Sequence, residues 1–314
     1  MTTPSNAAPE SFESKVAAPV VAAETRPFYW SVRREVWENR SIYVAPLAVA
    51  AVSFLGFLVS LHGLARSVRS AGGMEPVHQH VGLVMPYAHV AWLLLVTGML
   101  VGVFYSIDAL HGERRDRSIL FWKSLPVSDL TTVLSKASIP LVVVPLVTFV
   151  VIVGMHLIML VFSSLVLAMS GLGIAAQRTL WPLFQMELVL LYGLTVMALW
   201  HAPIYGWLLL VSGWARRATF LWVVLPPLVL FAMERLAFHG SFFGWLLRER
   251  FIGFAAEAFA FPGAGGVKAD PHFIPLALLT PGRFLSSPGL WIGLVFAAVF
   301  LAAAARLRRY REPI

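Results

Sequence analysis

The 314-residue chain has no cysteine, which excludes disulfide frameworks, thiolate nucleophiles and cysteine-based metal sites. Charge is scarce as well. Asp, Glu, Lys and Arg make up 13% of the residues, against about 25% in an ordinary soluble domain. Also missing are three catalytic signatures. There is no H-E-x-x-H pair for a zinc hydrolase and no G-x-S-x-G nucleophile elbow. No G-x-x-x-x-G-K-[ST] loop is present to cradle phosphates, and Gly265-Gly266-Val267-Lys268 lacks both its spacing and its hydroxyl. What is abundant is apolar side chain, at 59% of residues with a mean hydropathy of +0.78. The few polar groups could not cover a water-soluble core that large. A soluble enzyme and a disordered chain are both excluded, leaving an integral membrane protein.

Six stretches are nearly free of charge: 45–64, 87–107, 139–162, 188–211, 218–233 and 290–305. About 20 apolar residues cross a hydrocarbon core of about 30 Å as a helix. The first four meet that length. The fifth is completed by Leu236–Phe238 beyond Glu234 and Arg235, and the sixth by snorkelling of Arg306, Arg308 and Arg309. The expected fold is therefore all-α, with six transmembrane helices. Pro46, Pro145, Pro203, Pro226 and Pro227 fall in or near the spans as packing kinks, with Pro226–Pro227 as the best hinge candidate.

Lys and Arg are distributed unevenly. Sixteen lie in the two tails and the even-numbered loops, and eight in the odd-numbered loops. By the positive-inside rule both termini are cytoplasmic and the protein is multi-pass in the plasma (inner) membrane. That bias and attraction to anionic lipid account for the net charge of +8, and no nucleic-acid partner is required. Residues 1–27 read as a flexible cytoplasmic tail, and 28–314 as the six-helix transmembrane domain. Phe28–Arg40 sets Tyr29, Trp30, Val32, Val36 and Trp37 against Arg34, Glu35 and Glu38, as in an amphipathic helix lying among the headgroups.

The most informative segment joins spans two and three, from Asp108 to Asp129. Glu113 and Arg117 have the i,i+4 spacing that supports a helical turn. Phe121, Trp122 and Leu125 then project from a short amphiphilic helix, which Pro126 stops. Ser128 is placed to cap the next helix. Either a soluble partner or the lipid surface would cover those apolar groups.

With Glu113–Arg117, the run Phe121–Ser128 (Phe-Trp-Lys-Ser-Leu-Pro-Val-Ser) and Lys136 before span three, the chain resembles the permease subunits of type-2 (ABC-2) ATP-binding-cassette transporters. The likeness extends over the six-helix plan and the basic tail Arg306–Arg311. It implies a cytoplasmic coupling helix between spans two and three, with Glu113, Arg114, Arg117, Phe121, Lys123, Leu125 and Pro126 as coupling elements to an ATPase subunit. It also implies a second permease copy, identical or related, and ATP with Mg on the partner, with no cofactor or catalysis in this chain. Export is the expected direction. An ion-coupled secondary transporter, or a non-transporting anchor or sensor subunit, is the alternative; the first would need acidic residues mid-span, and none is read there.

Glu234, Arg235, His156 and His201 are candidates for a translocation path. His156 and His201 lie within spans but have no acidic or cysteine companions at ligand spacing, so helix–helix hydrogen bonding is expected of them. His78 and His80 supply two ligands at most, too few for a closed zinc site. Glu187 is placed to cap span four, and Glu234 and Arg235 to satisfy one another or face a cavity. Residues 239–287 are expected to form helices in or dipping into the outer leaflet, interrupted at Pro262–Gly266. Ser286-Ser287-Pro288 marks the start of the last span.

Overall fold

The computed structural model describes residues 26–71, 76–123, 127–260 and 276–310. The expected tail up to residue 25, Leu125, Pro126 and the Pro262–Gly266 break lie outside the described residues. Fourteen α-helices are named here in chain order: α1 (Pro27–Glu38), α2 (Ser41–Ala71), α3 (Pro76–Asp108), α4 (His111–Arg115), α5 (Ser118–Lys123), α6 (Asp129–Ser138), α7 (Val144–Met169), α8 (Gly173–Trp200), α9 (Ala202–Trp214), α10 (Thr219–Met233), α11 (Phe242–Ile252), α12 (Phe254–Ala258), α13 (Pro281–Ser286) and α14 (Pro288–Tyr310). Among the described residues the only β pairing is an isolated bridge between Phe259 and Leu279. Six helical stretches are long and apolar enough to cross a membrane: 41–70, 84–115, 129–169, 179–200, 219–237 and 288–310.

Several helices outrun the apolar runs that announce them. The 31 residues of α2 amount to about 46 Å, well beyond a hydrocarbon core of about 30 Å. Hydropathy falls off at a headgroup boundary, but helix propensity does not, so the rods continue past it. The hairpins α2–α3 and α7–α8 pack around Phe57, Tyr87, Leu94, Ile152, Met159 and Leu183.

The fourth span is broken. Where 188–211 reads as one rod, α8 ends at Trp200 and α9 starts at Ala202, with His201 between them. Pro203 has no N–H to give the Leu199 carbonyl, so the ladder cannot run through. A second irregularity lies at the foot of α7, where Ile139–Val143, which contains Pro140 and is followed by Pro145, forms a π-helical turn. Pro226 and Pro227, by contrast, sit inside an unbroken α10. The Val223 carbonyl freed by Pro227 accepts the Trp207 indole N–H at 3.3 Å.

The helix pair α9–α14 has the most extensive contact in the molecule. Gly206 makes it possible: a β-carbon there would stand 3.3 Å from the Ala297 carbonyl oxygen and from Phe300 Cβ. Gly206→Leu should wedge the pair apart and cost about 1–3 kcal/mol, measured by denaturant titration in mixed micelles.

Residues 242–260 and 276–286 fold back on the bundle. Ala258, Phe259 and Phe284 pack against Val189, Val196, Trp200 and Leu290. The Arg250 guanidinium donates to the Trp200 carbonyl (3.2 Å) and the Gly289 carbonyl (3.0 Å), closing the C-terminal end of α8 with a positive charge. Pro288 opens α14 as expected, but the buried Ser287 hydroxyl has no hydrogen-bond partner.

Candidate functional site: a buried charge knot behind an exposed apolar helix

Where α1, α3, α4, α6 and α14 meet, six charged side chains interlock. Lys136, 3% exposed, places Nζ 2.9 Å from Glu35 Oε1 and 3.2 Å from Glu113 Oε1. Arg34 Nη2 approaches the same two oxygens at 2.6 and 3.2 Å. Arg308, from the last helix, bridges Glu113 (3.5 Å) and Asp129. The Tyr105 hydroxyl donates to Glu35 Oε2 at 2.7 Å. Three carboxylates thus meet three cations in the buried part of the cluster, the half-exposed Glu38 adds a fourth carboxylate at its edge, 3.5 Å from Arg34 Nε, and each acid keeps a partner.

This arrangement alters two expectations. Glu113 and Arg117 do not share a helical turn: α4 ends at Arg115, and Arg117 takes a left-handed conformation with φ of 58°. Glu113 is instead drawn inward by Arg34, Lys136 and Arg308. On α1 the polar face is only partly solvated. Glu35, 1% exposed, is turned into the protein, while Tyr29, Trp30 and Trp37 stay exposed. Arg33 lies over the Trp30 and Trp37 rings, 5.2 and 4.8 Å from their centroids.

The knot braces the segment behind it. Ser212 Oγ accepts the backbone N–H groups of Leu110 and His111 at 3.0 and 2.9 Å. The Arg114 guanidinium donates to the Gly213 and Ala215 carbonyls at 2.9 and 3.2 Å, closing the end of α9. Ser128 caps α6 as read from the sequence, accepting the Thr131 N–H at 3.0 Å. Arg34 also lies over Trp122, 3.7 Å from the ring centroid, and Lys123 Nζ reaches the Arg309 carbonyl at 3.4 Å. The six-residue α5 is thereby held against the bundle through Trp122 and Lys123. Its opposite face presents Leu120 (60% exposed) and Phe121 (61% exposed), the latter edge-on to Trp122.

Burial works against ionisation of Glu35. Lys136, Arg34 and the Tyr105 hydroxyl outweigh it and hold the Glu35 carboxyl below the ordinary carboxylate range. A depressed carboxyl contributes stability that is complete above the ordinary range and is lost as pH falls through the lowered folded value. Acidification below about pH 4 should therefore release α1 from the bundle, read as faster proteolysis at Arg33. Glu35→Gln should abolish that acid step.

The four translocation candidates do not meet. Only His201 lines the cavity of about 90 Å³ between α3, α7 and the α8–α9 break, with Gly98, Pro140, Thr148, Tyr205 and Phe251. Both His201 ring nitrogens face carbonyls, Nδ1 that of Met197 (2.9 Å) and Nε2 that of Phe251 (3.3 Å), so neither is turned to a ligand. Among the described residues no cluster of three or more His, Asp or Glu is placed to hold a metal.

Glu234 does not pair with Arg235. Its carboxylate accepts the N–H groups of Phe242 (2.6 Å) and Phe243 (2.7 Å) at the start of α11, and Arg235 lies over Phe231. Glu187 is not a cap either. It stands about four turns into α8 and is hydrogen-bonded to His156, which therefore has the acidic companion that sequence spacing hid. Comparison of the chain with protein-family models, curated proteins and solved structures finds no match.

Proposed function

We propose that the chain is the membrane-spanning permease subunit of an ATP-binding-cassette exporter, driven by a separate ATPase subunit and working beside a second permease copy. It has no catalysis or cofactor of its own, and ATP and Mg act on the partner. Both termini and the 108–128 segment face the cytoplasm of the plasma (inner) membrane. One observation carries the reading: α5 offers an apolar face at Leu120 and Phe121 while its own stem is locked to α1, α6, α9 and α14. A push on an unbraced loop would be absorbed by the loop. A push on α5 passes through Arg34, Glu113 and Arg308 into helices from both ends of the chain. For that push to drive transport, the ATPase must bind the two permease states with different affinity.

Within the docking set implied by the resemblance, Glu113 and Arg114 act as the buried stem. Phe121 stands on the docking face, with Arg117 just before α5, and Lys123 anchors α5 to the last helix. The test is co-purification with a nucleotide-hydrolysing partner, and its loss on substitution at Leu120 and Phe121.

A second reading draws on Glu187, an acidic residue inside a candidate span where none is read from the sequence. It makes the chain an ion-coupled transporter. Transport that persists after ATP depletion and stops on collapse of the ion gradient would favour it.

A further inference from the structure

We infer that His156 and Glu187 form a proton-binding site that clasps α3, α7 and α8 together, whichever energy source drives the protein. His156 is 3% exposed. Its Nε2 faces the Tyr87 carbonyl at 3.0 Å, and a carbonyl only accepts, so Nε2 carries a hydrogen. Its Nδ1 faces Glu187 Oε1. That contact needs one more proton, held either on Nδ1 (imidazolium with carboxylate) or on Oε1 (imidazole with carboxylic acid). Both forms are net neutral and both keep the clasp. Without the proton the ring has one hydrogen for two acceptors, and with that hydrogen on Nε2, facing the Tyr87 carbonyl, a lone pair on Nδ1 meets a carboxylate oxygen and the contact becomes repulsive. The other carboxyl oxygen of Glu187 is buried without a hydrogen-bond partner, so nothing nearby stabilises the bare anion.

Few other titratable groups stand near the pair among the described residues. From α3 the titratable groups on this level are Tyr87, whose hydroxyl is engaged with Ser163 at 2.8 Å, and the exposed His89. From α2 it is the exposed His62. On α8, Arg178 precedes Glu187, and Tyr192 follows with its hydroxyl donated to the Ala258 carbonyl. The rest of the wall is Phe57, Val84, Met155, Met159 and Leu183.

The pair lies far from the charge knot. Counted along α6, the π-helical turn and α7, His156 stands about 30 Å from Lys136 in the charge knot. Glu187 keeps 19% of its side chain exposed. On this inference the pair exchanges its proton with the side of the membrane opposite the knot, and loss of the proton frees α8 from α7.

The full chain, spin-labelled at Val161 and Leu180 on the exposed faces of α7 and α8 and held in lipid nanodiscs, tests this by dipolar distance measurement from about pH 6 to pH 10. In the wild type, the ratio of separated to closed populations should rise about tenfold per pH unit above its midpoint, the slope of a single proton. Glu187→Gln should stay closed throughout, because its amide N–H donates to Nδ1 without a titratable proton. If that variant does not fold, His156→Gln replaces it and should be equally insensitive to pH. A wild-type distance that does not move over the range, or a variant that follows the wild-type profile, would overturn the inference.

Discussion

Lys136→Met is expected to destabilise the protein by about 3–5 kcal/mol, the usual cost of removing one partner from a buried ion pair. A single ammonium stands between Glu35 and Glu113, at 2.9 and 3.2 Å. Arg34 and Arg308 remain when it goes, but they cannot approach both carboxylates from the Lys136 side. Two desolvated anions are then left sharing too little positive charge. Glu35→Gln in the same chain removes one of those anions and should restore at least half of the loss. The double-mutant cycle should accordingly give a coupling of about 1–3 kcal/mol. Denaturant titration in mixed micelles measures all three variants. A Lys136→Met loss within about 0.5 kcal/mol of zero would mean that the knot is solvated and braces nothing.

The second large effect is on function without stability. Leu120→Asp with Phe121→Asp changes two side chains that are 60% and 61% exposed, so the fold should shift by no more than about 0.5 kcal/mol per site. Docking should suffer far more. A buried aromatic anchor at an interface contributes about 2 kcal/mol or more, which is about a thirtyfold loss of affinity for the ATPase. Transport should fall with it. If the pair only rests in lipid, the variant would retain its partner and its transport, and would differ from wild type only in membrane adhesion. Quantitative co-purification beside a transport assay separates the two results.

Sequence reading went furthest where the solvent decides the outcome. Long uncharged runs must be helices in lipid, because every backbone polar group there has to be bonded within its own segment. Local chemistry was legible as well: Ser128 caps α6, and Pro288 opens α14. Partnerships between distant residues were not. Glu113 has an arginine four positions on, yet its partners come from positions 34, 136 and 308, and no local spacing announces them. The same holds for Glu187 and His156, which are brought together only by the packing of α7 on α8. The spacing in α1 separates an aromatic side from a polar one, but it does not show that Glu35 on the polar side turns into the protein. The buried Lys136 offers a better partner there, and Glu35 follows it inward. Uniform apolarity also hid the break at His201, although Pro203 was a visible cause.

Transport by the purified chain in sealed vesicles, with and without an ATPase partner and ATP, bears most directly on the proposal that motion enters through α5. Movement of cargo is expected only when partner and nucleotide are both present, and is expected to vanish with the Leu120→Asp, Phe121→Asp substitutions. Cargo movement by the chain alone, in vesicles free of nucleotide, would contradict it.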